Sequence, residues 1–486
     1  MAEFKADKTA FAGGDSRDIR EVEVGIGGLS IAEVVAVARH GARVTVAPDA
    51  REEVAATRQR VEDLAAAETP VSGVSTGFGA LARRHIPAEK RARLQLSLVR
   101  SHAAGSGPEV EEEVIRALML LCLSTLCTGR TGVRPVVVDT YAAALNAGIV
   151  PVVYEYGSLG CSGDLAPLAH CALALLGEGE VRVEGKWQPA AEALEGAGIQ
   201  PLQLREKEGL ALINGTEGML GQLCLAIADL ETLARQADTA TALTLEGLQG
   251  AIARPGCLLG ALRPAGGRRL PGHAGARPRG GCQRAGRGGG QPGRGPGRPG
   301  GLQRQFSRRA RGLCARPSGD RGRGSRLYLG AAHGPLLDVA RNRSLPAFVA
   351  DDPGVNSGHM IAQYTQAGIV SELKRLAAPA SADSIPSSAM QEDHVSMGWS
   401  AARKLRRSID GAQRVVAIEI LTAARGIDLR GTTPGAGVAA VVAALRERVP
   451  GVGPDRYLAP EIAAAVQMVQ DGTFLRAAES AVGQLQ

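Results

Sequence analysis

The sequence predicts a mainly α protein, a long-helix bundle joined to a smaller N-terminal mixed domain. Three observations carry that reading. Gly218 to Gln249 is nearly free of helix breakers and contains the amphipathic stretch ADLETLARQADTATAL, and Met360–Leu376 and Ser400–Ala424 add two more long helical patterns. Strand patterns are few: EVEVG near 22–26 and VRVEG near 181–185. The composition, 44% hydrophobic with only 3% aromatic residues, suits helices packed through Ala, Leu and Val.

Taken in order, residues 1–60 begin polar and Gly-rich, then give a helical pattern in SIAEVVAVARHGA. Glu111–Cys127 is apolar on most sides and so predicts a buried helix. Its first-turn carboxylates suit the positive end of the helix dipole, and Gly129 ends it. A further helix follows Arg134-Pro135, because a proline at the first helical position lacks an N–H that would go unbonded there anyway.

At 486 residues the chain exceeds one ordinary domain and can bury a large core. Two domains are expected: 1–200, which holds loops at 70–86 and 157–170, and 201–486, a helical bundle. The second is interrupted. Residues 251–335 hold 23 Gly, 18 Arg and 9 Pro with no hydrophobic period, and their net charge of +17 exceeds the +7 of the whole chain, so the remainder sums to −10.

Taken literally, such a blend reads as a disordered nucleic-acid-binding insert. Against this, only Phe306 and Tyr328 are present there to stack on bases. A Gly/Arg/Pro blend is also what a G+C-rich gene yields when read out of frame. One nucleotide later, codons allowed for Gly256–Gly266 give DAYSVRCAPQV, and those for Gln303–Arg311 give SGNFHGAP. A frame-shifted and partly deleted stretch is therefore expected, and nucleic acid is not an expected partner.

No apolar run reads as membrane-spanning, and the N-terminal MAEFKADKTAFAGGDSRDIR lacks the charged-then-apolar order of a secretory signal. Eight cysteines are scattered without metal-ligand or disulfide-framework spacing. These features point to a cytoplasmic protein with no membrane contact and no metal.

The chemistry concentrates in residues 157–170, GSLGCSGDLAPLAH. Within it Cys161, Ser162 and Gly163 can condense with one another. The Gly163 amide nitrogen attacks the Cys161 carbonyl, two waters leave, and Ser162 becomes a dehydroalanine inside a five-membered ring, an autocatalytic methylidene-imidazolone. Glycine is needed at the third place because only a residue without Cβ lets the backbone fold so closely on itself. No external cofactor is called for. As a whole, this run resembles the signature of the aromatic amino acid ammonia-lyase family, and the resemblance covers residues 20–250 and 336–486.

Three further motifs refine the resemblance. Asn214, in LINGT at 212–216, is similar to the family asparagine whose amide hydrogen-bonds the modified loop; alone, Asn-Gly would read as a helix-boundary turn. Gln391–Gly398, QEDHVSMG, is similar to the form found in histidine-acting members. A carboxylate at Glu392 suits an imidazole N–H, which a phenyl ring lacks, although by itself it is equally an exposed carboxylate at a helix start. Ser101-His102-Ala103-Ala104-Gly105 stands where the family sets substrate preference, so His102 is either a substrate contact or a structural histidine.

The resemblance implies non-oxidative elimination of ammonia from L-histidine to give trans-urocanate. The methylene derived from Ser162 captures the substrate amine, a base removes a β-proton, and Asn214 with the loop backbone stabilises negative charge. It also implies a homotetramer whose active sites combine loops from several subunits. The same residues leave open an inactive, frame-damaged lyase-like protein, or an ammonia-lyase or aminomutase acting on tyrosine or phenylalanine.

One departure bears directly on catalysis. PVSGVSTGFGALARRHI at 70–86 resembles a lid loop in which a tyrosine acts as the base, and here that position is Ser72. A serine hydroxyl is too weak a base and too short to replace a phenol. The expected carboxylate-binding arginine is present only in the shifted frame. The literal chain is therefore expected to have little or no lyase activity, checked by the ultraviolet absorbance of urocanate; formation at a normal enzymic rate would overturn this.

Overall fold

The computed structural model describes residues 15–67, 71, 73–79, 84–250 and 333–485. Ser72 lies outside the described residues, as does all of 251–335 except its last three positions. In chain order the elements begin β1 (Glu21–Val24), α1 (Ile31–His40), β2 (Arg43–Val46), α2 (Pro48–Ala66), α3 (Ala88–His102), β3 (Ser106–Glu109), α4 (Glu112–Cys127) and α5 (Pro135–Asn146). Next come β4 (Val150–Pro151), β5 (Tyr154–Tyr156), α6 (Leu165–Leu175), β6 (Glu180–Val183), β7 (Lys186–Pro189), α7 (Ala190–Gly196), α8 (Glu208–Ile213) and α9 (Glu217–Gly247). The described remainder is helical: α10 (His333–Leu337), α11 (Met360–Leu376), α12 (Gly398–Arg430), α13 (Ala436–Arg446), α14 (Ala459–Gln470) and α15 (Thr473–Val482). The chain is mainly α with long helices, as its sequence predicts.

Local chemistry explains the element ends. Ser30 caps α1 in a reciprocal box with Glu33, each side chain bonding the other's backbone N–H, and Gly41 closes the helix with φ +67°. Pro135 opens α5 as expected. The strands form only small sheets: β1 with β2 in parallel, β3 with β5 antiparallel, and β4-β6-β7 antiparallel. Of these, β1 and β6 match the sequence reading. The rest, two to four residues long, were not read from the sequence.

The described residues divide into two compact units. One takes in the chain up to Thr232 together with Arg375–Asp410; the other takes in Leu233 to 250, 333 to Lys374, and Gly411 onward. In the first, α4 is the central core helix, with Leu118, Met119, Leu120, Leu123 and Leu126 fully buried. A helix apolar all round can be satisfied only by burial. Around it, Arg39 of α1 pairs with Glu113 of α4 and with Asp229 of α9 at 2.6 Å, and Arg406 of α12 joins Glu113 as well. Nearby, Glu111 pairs with Arg403, and the buried Glu155 accepts from Arg407 at 2.6 Å. The charged groups thus fasten the start of α12 to α4 and β5.

In the second unit, α13 packs on α15, and Glu479 pairs with Arg235. The buried Glu419 accepts from the Thr244 hydroxyl at 3.2 Å, and burial pushes its carboxyl up to about 7.

Glu208–Gly247, α8 and α9 together, is long and apolar enough by length and composition to cross a membrane, although 61% of its most apolar stretch is buried inside the protein. Asp229, Glu231 and Arg235 lie within it. Those charges, and the buried Gln222 and Gln236, fit a core helix better than a lipid-facing one.

Replacing Leu120 by alanine is expected to lower unfolding stability by about 2–5 kcal/mol through a cavity in this core, measured as a shift of the urea midpoint.

Candidate active site

Three segments of the first unit meet: the loop 157–163 between β5 and α6, the turn Asn214–Thr216 between α8 and α9, and Ser387–Met397 leading into α12. Each ends at a helix N-terminus. The unpaired N–H groups and aligned peptide dipoles there make the place favourable to negative charge.

The first contact is backbone on backbone. Gly163 sits at φ +110°, and a Cβ on it would fall 2.3 Å from the Gly215 carbonyl oxygen and 2.7 Å from the Gly215 nitrogen. One residue on, the Asp164 N–H donates to that same carbonyl at 2.6 Å. The Cys161-Ser162-Gly163 loop therefore lies directly against the Asn-Gly turn. The Asn214 side chain itself is exposed, and its backbone N–H closes α8 on Leu210 at 3.1 Å.

Asp164, which the sequence reading did not single out, ties these parts together. It is fully buried at the N-cap of α6. One carboxylate oxygen accepts from the Ser158 hydroxyl at 2.8 Å, and the other accepts from the Met219 N–H at 2.8 Å in the first turn of α9. It thus caps a helix that begins 53 positions later. Burial pushes its carboxyl up to about 7, against the Met219 and Gly218 N–H groups and the Ser158 hydroxyl, which favour the charged form. The signal in the sequence was an Asp directly before an apolar helical run; its second helix was not legible.

The third segment brings Glu392 to the loop. The Ser162 hydroxyl donates to Glu392 Oε1. Glu392 stands at the end of a tight turn closed by Ser387, with Ser387 N–H donating to the Glu392 carbonyl at 2.9 Å and the return bond at 3.3 Å. Within that turn Ser388, Ala389 and Met390 all hold positive φ, 52°, 54° and 67°. Three successive non-glycine residues in the left-handed region are costly, and such strain is found where structure over-determines a functional turn. Beyond it the Ser396 hydroxyl donates to Gly160 O at 2.8 Å and Met397 N–H to Leu159 O at 2.8 Å. The Trp399 indole N–H then donates to Glu155 O at 2.7 Å.

His102 behaves differently. It ends α3, and its Nδ1 lies 2.8 Å from Leu98 O and 3.1 Å from the Ser101 hydroxyl. Its hydrogen bonds are local, and none joins it to Ser162 or Glu392. The following loop is held instead by His170 of α6, whose Nε2 accepts from Gly105 N–H at 3.1 Å while its ring meets Tyr154 edge-on. His170 lay inside the quoted motif run but carried no signal of this contact.

The raised Asp164 carboxyl has a definite sign. The folded state holds the proton more tightly than the unfolded chain, so this group favours folding fully below the unfolded value near 3.9 and loses that contribution as pH rises through about 7. From about pH 4 to about pH 8 the melting temperature of the parent chain should therefore fall relative to Asp164→Asn, which has no such titration.

With this geometry in view, comparison with known proteins is direct. The sequence profile for aromatic amino acid lyase matches residues 29–270 and 333–447. Histidine ammonia-lyase of Streptomyces coelicolor is 49% identical over 521 aligned positions, covering 96% of this chain and 99% of that protein. The histidine ammonia-lyase of Symbiobacterium thermophilum is 41% identical, with 94% and 98% covered. Among solved structures, tyrosine aminomutase from Streptomyces globisporus superposes with a TM-score of 0.76 at 30% identity, covering 96% of this chain and 99% of that one. Histidine ammonia-lyase from Trypanosoma cruzi gives 0.76 at 28% identity, covering 95% and 96%. A profile spanning more than half the chain and relatives at this identity and coverage establish that the chain belongs to the aromatic amino acid lyase family.

Proposed function

We propose that this chain is an ammonia-lyase that removes ammonia from L-histidine, without oxidation and without an external cofactor, to give trans-urocanate. The observation that supports this best is the meeting of three separate motifs at one loop, with the Ser162 hydroxyl on Glu392 and the Gly163 backbone on Gly215. The relatives at 49% and 41% identity are histidine ammonia-lyases, which favours histidine over tyrosine or phenylalanine as substrate.

Cys161, Ser162 and Gly163 suit a methylidene-imidazolone. The third position admits no Cβ, since one would strike Gly215 O at 2.3 Å, and its φ of +110° is one that glycine adopts freely. When formed, that group supplies an electrophilic methylene to the substrate amine. The chain's own residues do the rest. Glu392 accepts an imidazole N–H and so orients the ring. In this reading the Asn214 amide, exposed at the turn beside Gly215, is the donor assigned to the modified loop. The N-terminal ends of α6, α9 and α12 favour the negative charge that develops as the β-proton departs. With Nδ1 of His102 held by its own helix, Nε2 is the atom left to meet a substrate.

We assign the active form to a cytoplasmic homotetramer, a reading in keeping with five free cysteines among the described residues.

A second reading, an inactive lyase-like protein, rests on Ser72 and on length. The alignment to the Streptomyces coelicolor relative runs to 521 positions against a chain of 486, so that relative carries residues missing here.

The test uses a chain with its reading frame restored and Ser72→Tyr, offered L-histidine, L-tyrosine and L-phenylalanine in turn. Urocanate is expected from histidine, with Glu392→Gln causing selective loss of histidine turnover. Equal turnover of histidine by Glu392→Gln, or preference for tyrosine in the parent, would reject the substrate assignment.

A further inference from the structure

We propose that His170 is a positioning residue for recognition of the substrate ring: its unprotonated Nε2 holds the segment after His102 against the reactive loop, and so fixes where His102 meets the imidazole. This rests on the reading that His102 Nε2 is a substrate contact, and goes beyond it by naming the group that sets that contact.

The segment after α3 makes its hold on the rest of the unit at one residue. Ala103 and Ala104 use their N–H groups on carbonyls of α3, Val99 at 3.0 Å and His102 at 2.8 Å. Gly105 N–H turns away from that helix and donates to His170 Nε2 of α6 at 3.1 Å. From Ser106 the chain is in β3, paired with Tyr156 of β5. The His170 bond thus falls where the helix has ended and the strand has not begun.

Gly105 is wedged at that point. A Cβ on it would fall 3.0 Å from His170 Nε2 and 3.3 Å from Tyr156 O. Gly157, the first residue of the reactive loop, lies against it: a Cβ on Gly157 would sit 3.3 Å from Gly105 Cα and 2.7 Å from Ala166 Cβ. Ala166 and His170 stand one helical turn apart on α6 and so share a face. That face packs on the reactive loop through Ala166 and on the His102 segment through His170. One helix therefore sets the spacing between the loop that carries Ser162 and the end of α3.

The acceptor has a definite chemistry. An imidazole nitrogen accepts only without its proton, so on the neutral ring the proton sits on Nδ1. Burial lowers the His170 pKa and favours that neutral ring. Tyr154 steadies it edge-on, with 5.5 Å between centroids. Phenylalanine here would keep the aromatic contact and lose the acceptor. Glutamine would keep an acceptor near the Nε2 position and lose the ring. The two substitutions separate the bond from the packing.

Hydrogen exchange at the Gly105 amide of the chain as it stands, read by mass spectrometry with fragmentation, tests the bond. Exchange there is expected to be about tenfold faster in His170→Phe and close to the parent's in His170→Gln. Equal protection in His170→Phe would overturn the proposal.

Turnover tests the consequence, in the chain with its frame restored and Ser72→Tyr. In His170→Phe, kcat/KM for L-histidine should fall about tenfold, mainly through KM, and His170→Gln should recover most of that loss. The two-water mass loss and far-UV circular dichroism should stay those of the restored parent. In a His102→Ala background the His170→Phe change should cost less than about twofold, because the group that it positions is gone.

Full additivity of the two substitutions, unchanged turnover in His170→Phe, or no recovery in His170→Gln would overturn the proposal and leave the lyase assignment standing. So would a His170→Phe chain that keeps both waters, since His170 would then serve loop formation. A restored parent that makes no urocanate would remove the lyase reading, and this proposal with it, even with the Gly105 bond in place.

Discussion

A contact between two peptide units, Gly163 against Gly215, is what the rest of the site depends on. No side chain mediates it, and none could be inserted: a Cβ on Gly163 would lie 2.3 Å from an oxygen that already accepts the Asp164 N–H. Backbone approaching backbone this closely removes the freedom that an exposed loop would otherwise have, and freedom is what a condensation between neighbouring peptide units must lose. Asp164 turns the contact into a joint, standing at the N-cap position of α6 while its carboxylate caps α9 from across the loop.

Around that joint the electrostatics run in one direction. Helices α6, α9 and α12 all begin there, so the positive ends of three helix dipoles lie at one place. The start of α12 is held by a chain of ion pairs, Arg403 to Glu111, Arg406 to Glu113 and Arg407 to the buried Glu155, and by the Trp399 indole on the Glu155 carbonyl. Because Arg39 shares Glu113 and reaches Asp229, α1, α4, α9 and α12 are cross-linked by charge at part-buried positions. Glu113 and Glu155 each face two arginines, so each keeps a partner when one pair is broken.

Much of this was legible in the sequence, for identifiable reasons. The long helices announced themselves by periodicity, and the start of α5 by its proline. The loop at 161–163 stood out because the three residue types are themselves the reactants. Glu392 was legible as a carboxylate in a motif, but its nearest partner was not, since Ser162 and Glu392 lie 230 positions apart and no local pattern encodes that meeting. The capping of α9 by Asp164 stayed hidden for the same reason. His102 stood out by position; the use of its Nδ1 by its own helix was not legible. Of the short strands, β1 and β6 were read from the sequence and the rest were not. The charged residues within the apolar α9 are tertiary partners: Asp229 reaches Arg39 and Arg235 reaches Glu479.

The cap that Asp164 places on α9 also carries a consequence for the order of events in biosynthesis. The first turn of α9 and the loop that it steadies are made at different times on the ribosome, and the capping carboxylate waits until the later segment emerges and docks. Residues near position 392 emerge later still. A nascent chain therefore passes through a long interval in which the reactive tripeptide exists but its surroundings do not. On the proposed function, the covalent change in that tripeptide is a permanent record that those surroundings had been assembled.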